Sequence, residues 1–248
     1  MSRFTILVLL LVGCGGNGRT WQSIQQTGVI RVGLDPTYPP FETLTDAGYA
    51  GIDIELAQAI AADWGVTVEF VPLSYDGLYD ALGTGQVDLL ISALVLEPDK
   101  TRDFAYSEPY FNAGEVLVVP KDSPVREMAD LNTHILAVEL GARGHVEATV
   151  WARRLPDLVI LTFDTPDEAL TAVAQGQADA AVVDGISGRL FLKTNPGLRI
   201  AEEPVTVEPY AIVARTDDVV LLENVNGSLE RLVRNGRLDQ IVSNWLAN

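Results

Sequence analysis

The chain predicts an α/β fold in which one helix–turn–strand unit is built twice around mostly parallel sheets. Three observations carry that reading. Between residues 29 and 91, strand-like and helix-like stretches alternate, and a β-α-β-α-β order implies a largely parallel sheet with helices on both faces. The 248 residues are 48% hydrophobic, enough to bury a core in one large domain or two modest ones. A segment also repeats: Ala81-Leu82-Gly83-Thr84-Gly85-Gln86-Val87-Asp88 is echoed by Ala172-Val173-Ala174-Gln175-Gly176-Gln177-Ala178-Asp179, 91 residues further on. Each copy is a helix end, a Gly-Gln turn, an aspartate and an apolar strand.

The elements follow in order. Residues 29–34 alternate and read as a strand that ends at Asp35. Pro36, Pro39 and Pro40 make the next stretch a loop, with Tyr38 and Phe41 held in it. Residues 51–64 read as a helix: Ile52, Leu56, Ala59, Ile60 and Trp64 form one stripe, and Gly65 is the stop. A strand at 66–71 and a short helix at 75–82 lead through Gly85-Gln86 into the buried strand Leu89-Leu90-Ile91. That strand opens into Ser92 and then Pro98, which suits the first turn of a helix. A strand that passes through a small polar residue toward a helix is a common ligand-holding place in an α/β sheet. The segment 88–111 is therefore read as the floor of a small-molecule cleft.

Strands at 115–119 and 134–138 flank a Pro-bounded turn. The second runs into Gly141-Ala142-Arg143-Gly144, where backbone N–H groups stand open to an anion, although the Gly-Lys-Ser/Thr ending of a P-loop is missing. Residues 158–163 form a strand, Thr165-Pro166-Asp167-Glu168 starts a helix, and Asp184 ends the strand after Asp179. An extended pass at 205–214 precedes a final stripe of Leu222, Val225, Leu229 and Val233. This breaks at Gly236 and resumes with Leu238, Ile241 and Trp245.

The formal charge of −17 and pI near 4.3 disfavour a nucleic-acid partner, which needs a basic surface. At the N-terminus Arg3 precedes a nine-residue apolar run, 4–12. That is short of the ~20 residues a spanning helix needs and suits an export signal. Leu11-Val12-Gly13-Cys14 resembles the lipobox of bacterial lipoproteins. The resemblance implies cleavage before Cys14, a lipid on its sulfur, and residues 15–18 as a flexible tether. The alternative is a free cysteine in a frayed tail. One cysteine leaves none for a disulfide or a thiolate metal site. His134 and His145 lack metal-ligand spacing, and no Gly-x-Ser-x-Gly elbow is present. No catalytic residue, metal or cofactor is predicted.

Asp35-Pro36-Thr37-Tyr38-Pro39-Pro40-Phe41, Gly51-Ile52-Asp53-Ile54-Glu55-Leu56 and Phe104-Ala105-Tyr106-Ser107-Glu108-Pro109-Tyr110, in that order behind a lipobox, resemble the extracytoplasmic solute-binding proteins of polar amino-acid ABC importers. The resemblance runs from about residue 20 to residue 248. It implies a type II periplasmic-binding-protein fold: two α/β lobes joined by two crossover strands, with a ligand between them and a hinge that closes. The expected division is signal and tether at 1–19, lobe one at 20–112 and 208–248, and lobe two at 113–207. The expected partners are an amino acid or related amine, a membrane permease, and the membrane itself through the lipid. The expected state is an exported, anchored monomer.

The resemblance also implies site roles. Tyr38 and Tyr75 stand where two aromatics clamp the ligand's side chain. Ser92, Ala93 and Leu94 stand where polar or backbone groups meet its α-amino and carboxylate groups. Asp184 stands where a second-lobe aspartate pairs with the α-ammonium, and Ala142 and Arg143 where that lobe contacts the carboxylate. Asp35 is placed at the ligand's distal end. Each has a structural alternative: half-buried aromatics for the tyrosines, a helix cap for Asp184, a local backbone bond for Ser92, and a solvent-facing side chain for Arg143.

Two departures stand out. Lys100 occupies the family's carboxylate-gripping arginine position, keeping the charge but losing the bidentate fork. Arg102, two residues on, reads as a surface residue. Ala93 and Val95 offer no hydroxyl where a Ser/Thr is common, and Arg143 is the cation that compensates. The leading function is capture of a small zwitterion for an importer. Two others remain: a ligand-binding sensory domain without a transporter, and a dehydratase on the same scaffold with Glu139 or Glu97 as proton donor.

Overall fold

The computed structural model describes residues 18–246; Cys14 and the lipobox reading lie outside the described residues. Lobe one opens with α1 (Arg19–Thr27), β1 (Val29–Leu34) and a small three-stranded sheet of β2 (Thr37–Tyr38), β3 (Glu42–Thr45) and β4 (Gly48–Ala50). It continues through α2 (Ile52–Trp64), β5 (Thr67–Pro72), a 3-10 turn at Tyr75–Gly77, α3 (Leu78–Gly83), β6 (Leu89–Leu90), a 3-10 turn at Pro98–Lys100 and β7 (Phe104–Tyr106). The chain crosses at β8 (Phe111–Asn112).

Lobe two holds β9 (Glu115–Pro120), β10 (Ile135–Glu139), α4 (Arg143–Ala152), β11 (Val159–Phe163), α5 (Pro166–Ala174), β12 (Ala180–Asp184), α6 (Gly185–Leu192) and β13 (Leu198–Ile200). The return crossing is β14 (Pro209–Tyr210). It leads to β15 (Val213–Arg215), α7 (Val219–Arg234) and α8 (Arg237–Trp245), which complete lobe one.

The two main sheets have matching orders, β5-β1-β6-β15-β7 and β11-β10-β12-β9-β13. In each, one strand runs against the rest: β15 in the first and β9 in the second. Each of these is the strand that follows a crossing, and β8 and β14 pair antiparallel with each other. A chain arriving from the hinge enters its sheet at the end where the parallel strands finish, so it has to run the other way. Helices cover both faces of each sheet. α2, α7 and α8 pack on one face of the first sheet and α3 on the other; apolar clusters likewise occupy both faces of the second.

The internal echo has a structural cause. In lobe one the Asp88 carboxylate accepts the Arg31 backbone N–H at 2.9 Å, while the Asp88 N–H donates to the Arg31 carbonyl at 2.8 Å. In lobe two Asp179 accepts the Ile135 N–H at 2.8 Å and donates to the Ile135 carbonyl at 2.8 Å. The glycine of each Gly-Gln turn sits at positive φ, 75° for Gly85 and 71° for Gly176. The repeated motif is thus a joint that starts the central strand in register with its neighbour.

Most predicted elements are present, with small shifts of their ends. Gly65 is the C′ stop of α2, its N–H reaching the Ala61 and Ala62 carbonyls. The expected helix at 75–82 divides into a 3-10 turn and α3. The C-terminal stripe is offset: Leu221, Val225, Ser228, Leu229 and Leu232 are buried in α7, while Val233 is 58% exposed. The true stripe follows i, i+4, i+7, i+8, i+11, and Leu222 and Val233 lie at its margin.

One close approach fixes how the proline loop meets α2. Gly51 has φ 137°, and a Cβ there would lie 2.0 Å from the Phe41 carbonyl oxygen, which accepts the Asp53 N–H at 3.0 Å. Gly51→Ala therefore destabilises the chain by ~2–4 kcal/mol, through strain and overpacking. Gly197→Ala, with nothing within 4 Å of the added carbon, leaves stability nearly unchanged. Urea unfolding midpoints measure both; equal midpoints would show that the loop gives way freely.

Candidate functional site

A pocket of about 380 Å³ opens at the end of the first sheet, lined among others by Asp35, Tyr38, Glu42, Tyr75, Ser92 and Tyr210. Its floor is polar and tightly tied. Asp35 follows β1, and its two carboxylate oxygens accept from Thr37 Oγ1 at 2.7 Å and the Tyr75 backbone N–H at 2.9 Å. The Asp35 N–H donates to Ser92 Oγ at 3.0 Å, and Ser92 Oγ donates to Glu42 Oε1 at 2.8 Å. One hydroxyl thus joins the ends of β1 and β6 to the start of β3.

Beneath Ser92 lie two buried acids, Glu42 and Asp53, each only 1% exposed. Asp53 Oδ2 accepts the Ala93 N–H at 2.7 Å, holding Ala93 at φ 46°. That backbone region costs an alanine roughly 1–2 kcal/mol. The remaining oxygens, Glu42 Oε2 and Asp53 Oδ1, have no other hydrogen-bond partner among the described residues. Burial, and then the charge of Asp53, push the Glu42 carboxyl up to about 10; burial likewise raises Asp53. Two carboxylates side by side out of water cannot both ionise. A proton shared between Glu42 and Asp53 answers that conflict, and the buried Tyr110 hydroxyl, likewise without another partner, is the further donor beside Asp53.

The walls are aromatic. Tyr38 stacks on Phe41 with ring centroids 5.8 Å apart, and its hydroxyl lies 3.4 Å from that of Tyr210 on the return crossing. Phe41 meets Phe111 and Tyr210 edge-on at 5.1 and 5.2 Å, tying the wall to both crossings. Tyr38 and Tyr75 keep 43% and 53% of their surface exposed, so both present open faces.

The predicted residues fall into three groups. Asp35, Tyr38, Tyr75, Ser92 and Ala93 line the pocket. Leu94 is fully buried, with its carbonyl accepting the Ala211 N–H at 2.9 Å. Lys100 does not line the pocket: its ammonium donates to Glu97 at 2.7 Å and lies 3.9 Å from the Tyr79 ring centroid. Arg102 is exposed.

The third group is on lobe two. Ala142 precedes α4, and Arg143 is that helix's first residue and pairs with Glu208. Asp184 Oδ1 caps α6, accepting the Ile186 and Ser187 N–H groups at 3.1 and 2.8 Å. Next to it the Gly185 N–H reaches the Ala113 carbonyl at 3.4 Å, so Asp184 adjoins the crossing. The loop glycine Gly141 donates its N–H to His145 at 3.1 Å and is not open to an anion. Among the described residues, none from lobe two lines the pocket.

Sequence reasoning missed Glu42, Asp53 and Tyr210. An available signal was Asp53 itself: an acid between Ile52 and Ile54 in a helix turn that packs into the core. Among the described residues, no cluster of three or more potential metal ligands occurs, and no helix is long and apolar enough to cross a membrane.

Two α/β lobes joined by two paired crossing strands define a type II periplasmic binding protein. A family model for bacterial extracellular solute-binding proteins, family 3, matches residues 30–248, and the chain belongs to that family. It is 27% identical over 222 residues to the ABC transporter arginine-binding protein 1 of Escherichia coli (strain K12), covering 87% of this chain and 90% of that protein. The L-cystine solute receptor of Neisseria gonorrhoeae, solved in its unliganded open conformation, matches with TM-score 0.79 at 25% identity, covering 92% of this chain and 97% of that one. An ancestral cyclohexadienyl dehydratase matches with TM-score 0.79 at 26% identity, covering 92% and 95%.

The shared proton sets a pH dependence. Glu42 moves from an ordinary 4.5 to about 10 in the fold. Between those values the folded chain holds a proton that the unfolded chain has released, so this contribution to stability falls as pH rises. Glu42→Gln keeps the shape, offers an N–H to Asp53 and an oxygen to Ser92, and cannot ionise; its melting temperature falls less than wild type's between pH about 6 and about 9. Glu42→Ala strands Ser92 and Asp53 and costs ~2 kcal/mol or more. Parallel slopes for wild type and Glu42→Gln would dismiss the shared proton.

Proposed function

We propose that this chain is the capture component of an ABC importer, exported and tethered by a lipid on Cys14. It takes a small zwitterion, an amino acid or related amine, between two closing lobes. The observation that carries this reading is a pocket with two open tyrosine faces over an acid-organised floor, set at the hinge of two α/β lobes. The family and its arginine- and cystine-binding relatives support the substrate class. In the ligand-bound form Asp184 pairs with the ammonium, and Lys100 and Arg143 answer the carboxylate, each leaving its present partner. Residues 20–112 with 208–248, and residues 113–207, are the two moving bodies.

Titration calorimetry against the twenty standard L-amino acids and 1,4-diaminobutane tests the reading, with mass spectrometry of whatever co-purifies. No binding at millimolar concentration would defeat it. Asp184→Asn keeps an oxygen to cap α6 but removes the charge, so affinity falls about 10- to 100-fold with melting unchanged. Retained affinity would overturn the ammonium assignment. Lys100→Arg restores a bidentate fork and holds or raises amino-acid affinity; a large loss would mean a site built around lysine for another ligand.

The second reading, a dehydratase, has the structural match to an ancestral cyclohexadienyl dehydratase in its favour. Of the two acids the sequence offered as proton donor, Glu97 is held by Lys100. Turnover of a cyclohexadienyl substrate by the purified protein would promote it over capture.

A further inference from the structure

β9 and β12 pair antiparallel with Glu115 directly opposite Asp184. Opposed residues of such a pair project from the same face, so the two carboxylates leave the sheet together. They do so where β10 passes into α4 and β12 into α6, the strand ends that ligands approach in an open α/β sheet. Glu115 is 7% exposed. Its backbone N–H is taken by Thr206 Oγ1 at 2.8 Å, yet among the described residues no hydrogen bond or ion pair reaches its carboxylate. The side chain is packed on all but its carboxylate tip, whose oxygens still reach solvent and have no protein partner among the described residues, as befits a group held open to an entering ligand.

The surroundings fit an acid that waits for a cation. Oε2 packs against the first turn of α4, where a Cβ on Gly144 would lie 2.9 Å from it; the N-terminal field of a ten-residue helix favours an anion there. The charged groups around it are Asp184 on β12, Arg143 and Glu147 on α4, and Glu208 before β14. Among the described residues Arg143 is the cation that acts on it, and its guanidinium is paired with Glu208.

We propose that Glu115 is a further ligand-binding residue, and that Glu115 and Asp184 together bracket the ligand's ammonium. The proposal rests on Asp184 as the ammonium partner and adds a second carboxylate to it. The chemistry it fits is a primary ammonium, whose three N–H donors can serve two carboxylates at once; an N-trimethylated analogue has none to offer. Burial, followed by the charge of Asp184, pushes the Glu115 carboxyl up to about 7, with Arg143 pulling the other way. Near neutrality the empty site is therefore part-protonated. An entering ammonium holds the carboxylate form, and the carboxyl's proton leaves to the buffer: Glu–COOH plus R–NH3+ gives the ion pair plus H+.

The test is calorimetric titration of wild type, Glu115→Gln and Asp184→Asn with the same L-amino acids and 1,4-diaminobutane, in phosphate and in Tris. Wild type releases about half a proton per ligand near pH 7, seen as buffer-dependent heat, and its affinity rises toward alkaline pH. Glu115→Gln loses the proton release and binds about tenfold or more weakly at alkaline pH, while its melting temperature holds or rises relative to wild type at that pH because no raised carboxyl has to ionise. A merely structural Glu115 would leave both the affinity and the buffer dependence of the heat alone. If a probe binds wild type and Glu115→Gln within about twofold, with buffer-independent heat, Glu115 is no ligand residue while the capture function stands. If no probe binds wild type, both fall.

Discussion

One proton between Glu42 and Asp53 holds the ligand-facing wall of the first lobe together. Glu42 is the first residue of β3, Asp53 lies in the first turn of α2, and among the described residues no cation pairs with either. Through its second oxygen each acid grips the segment beyond β6: Glu42 takes the Ser92 hydroxyl, and Asp53 takes the Ala93 N–H. Ser92 in turn receives the Asp35 N–H, and Asp35 receives the Tyr75 N–H. The position of an open tyrosine face is thus set, three contacts away, by the carboxyl of Glu42. Burying such a network is costly unless every member is satisfied. The strained Ala93 is the visible part of that cost, kept because Asp53 supplies the bond that this backbone angle requires.

Much of this was legible in the chain. Strand and helix periods located the elements because burial on both faces of parallel sheets leaves continuous apolar runs. The Gly-Gln-x-Asp echo was legible as a repeat, but its meaning was not. It reads as a joint only when Asp88 and Asp179 are seen trading backbone bonds with Arg31 and Ile135, residues 57 and 44 positions away. Ser92 was legible as a site residue, yet its hydroxyl is engaged below the pocket. A hydroxyl next to a strand end looks the same in sequence whichever way it turns. The Glu42–Asp53 pair and the Glu115–Asp184 pairing were invisible for one reason: each joins residues remote in the chain and depends on strand register or helix docking. The α7 stripe failed by one position because Leu221-Leu222 and Leu232-Val233 offer two apolar choices at each end, and packing, not pattern, selects.

The crossings are where shape change can be concentrated. They are two residues wide on each side, and Asn112 braces them, its side-chain oxygen accepting from the Glu208 N–H at 2.7 Å and the Gly114 N–H at 3.1 Å. Gly114 itself tolerates no side chain: a Cβ would lie 2.3 Å from the Thr206 carbonyl. On one side sits the aromatic cluster of Phe41, Phe111 and Tyr210. On the other, Arg189 lies over Phe111 at 5.1 Å. Rigid lobes on either side of so narrow a strip leave few backbone angles to absorb a rotation.

On the proposed function, charge supplies a reason for such a hinge to close only on a guest. The two cations proposed to meet the ligand are each paired, Lys100 with Glu97 and Arg143 with Glu208. Asp35 on one side, and Asp184 and Glu115 on the other, have no ion pair among the described residues. Bringing those carboxylates together with nothing between them raises their repulsion as water leaves, because the same charges interact more strongly in a medium of lower dielectric constant. A guest with an ammonium reverses the sign of that term, and only in the closed arrangement does it meet both sides. A ligand shifts an equilibrium by its differential affinity for the two states, and here that difference is electrostatic. A neutral guest of the same shape fills the aromatic walls equally well and leaves the repulsion in place, so shape alone does not close the lobes.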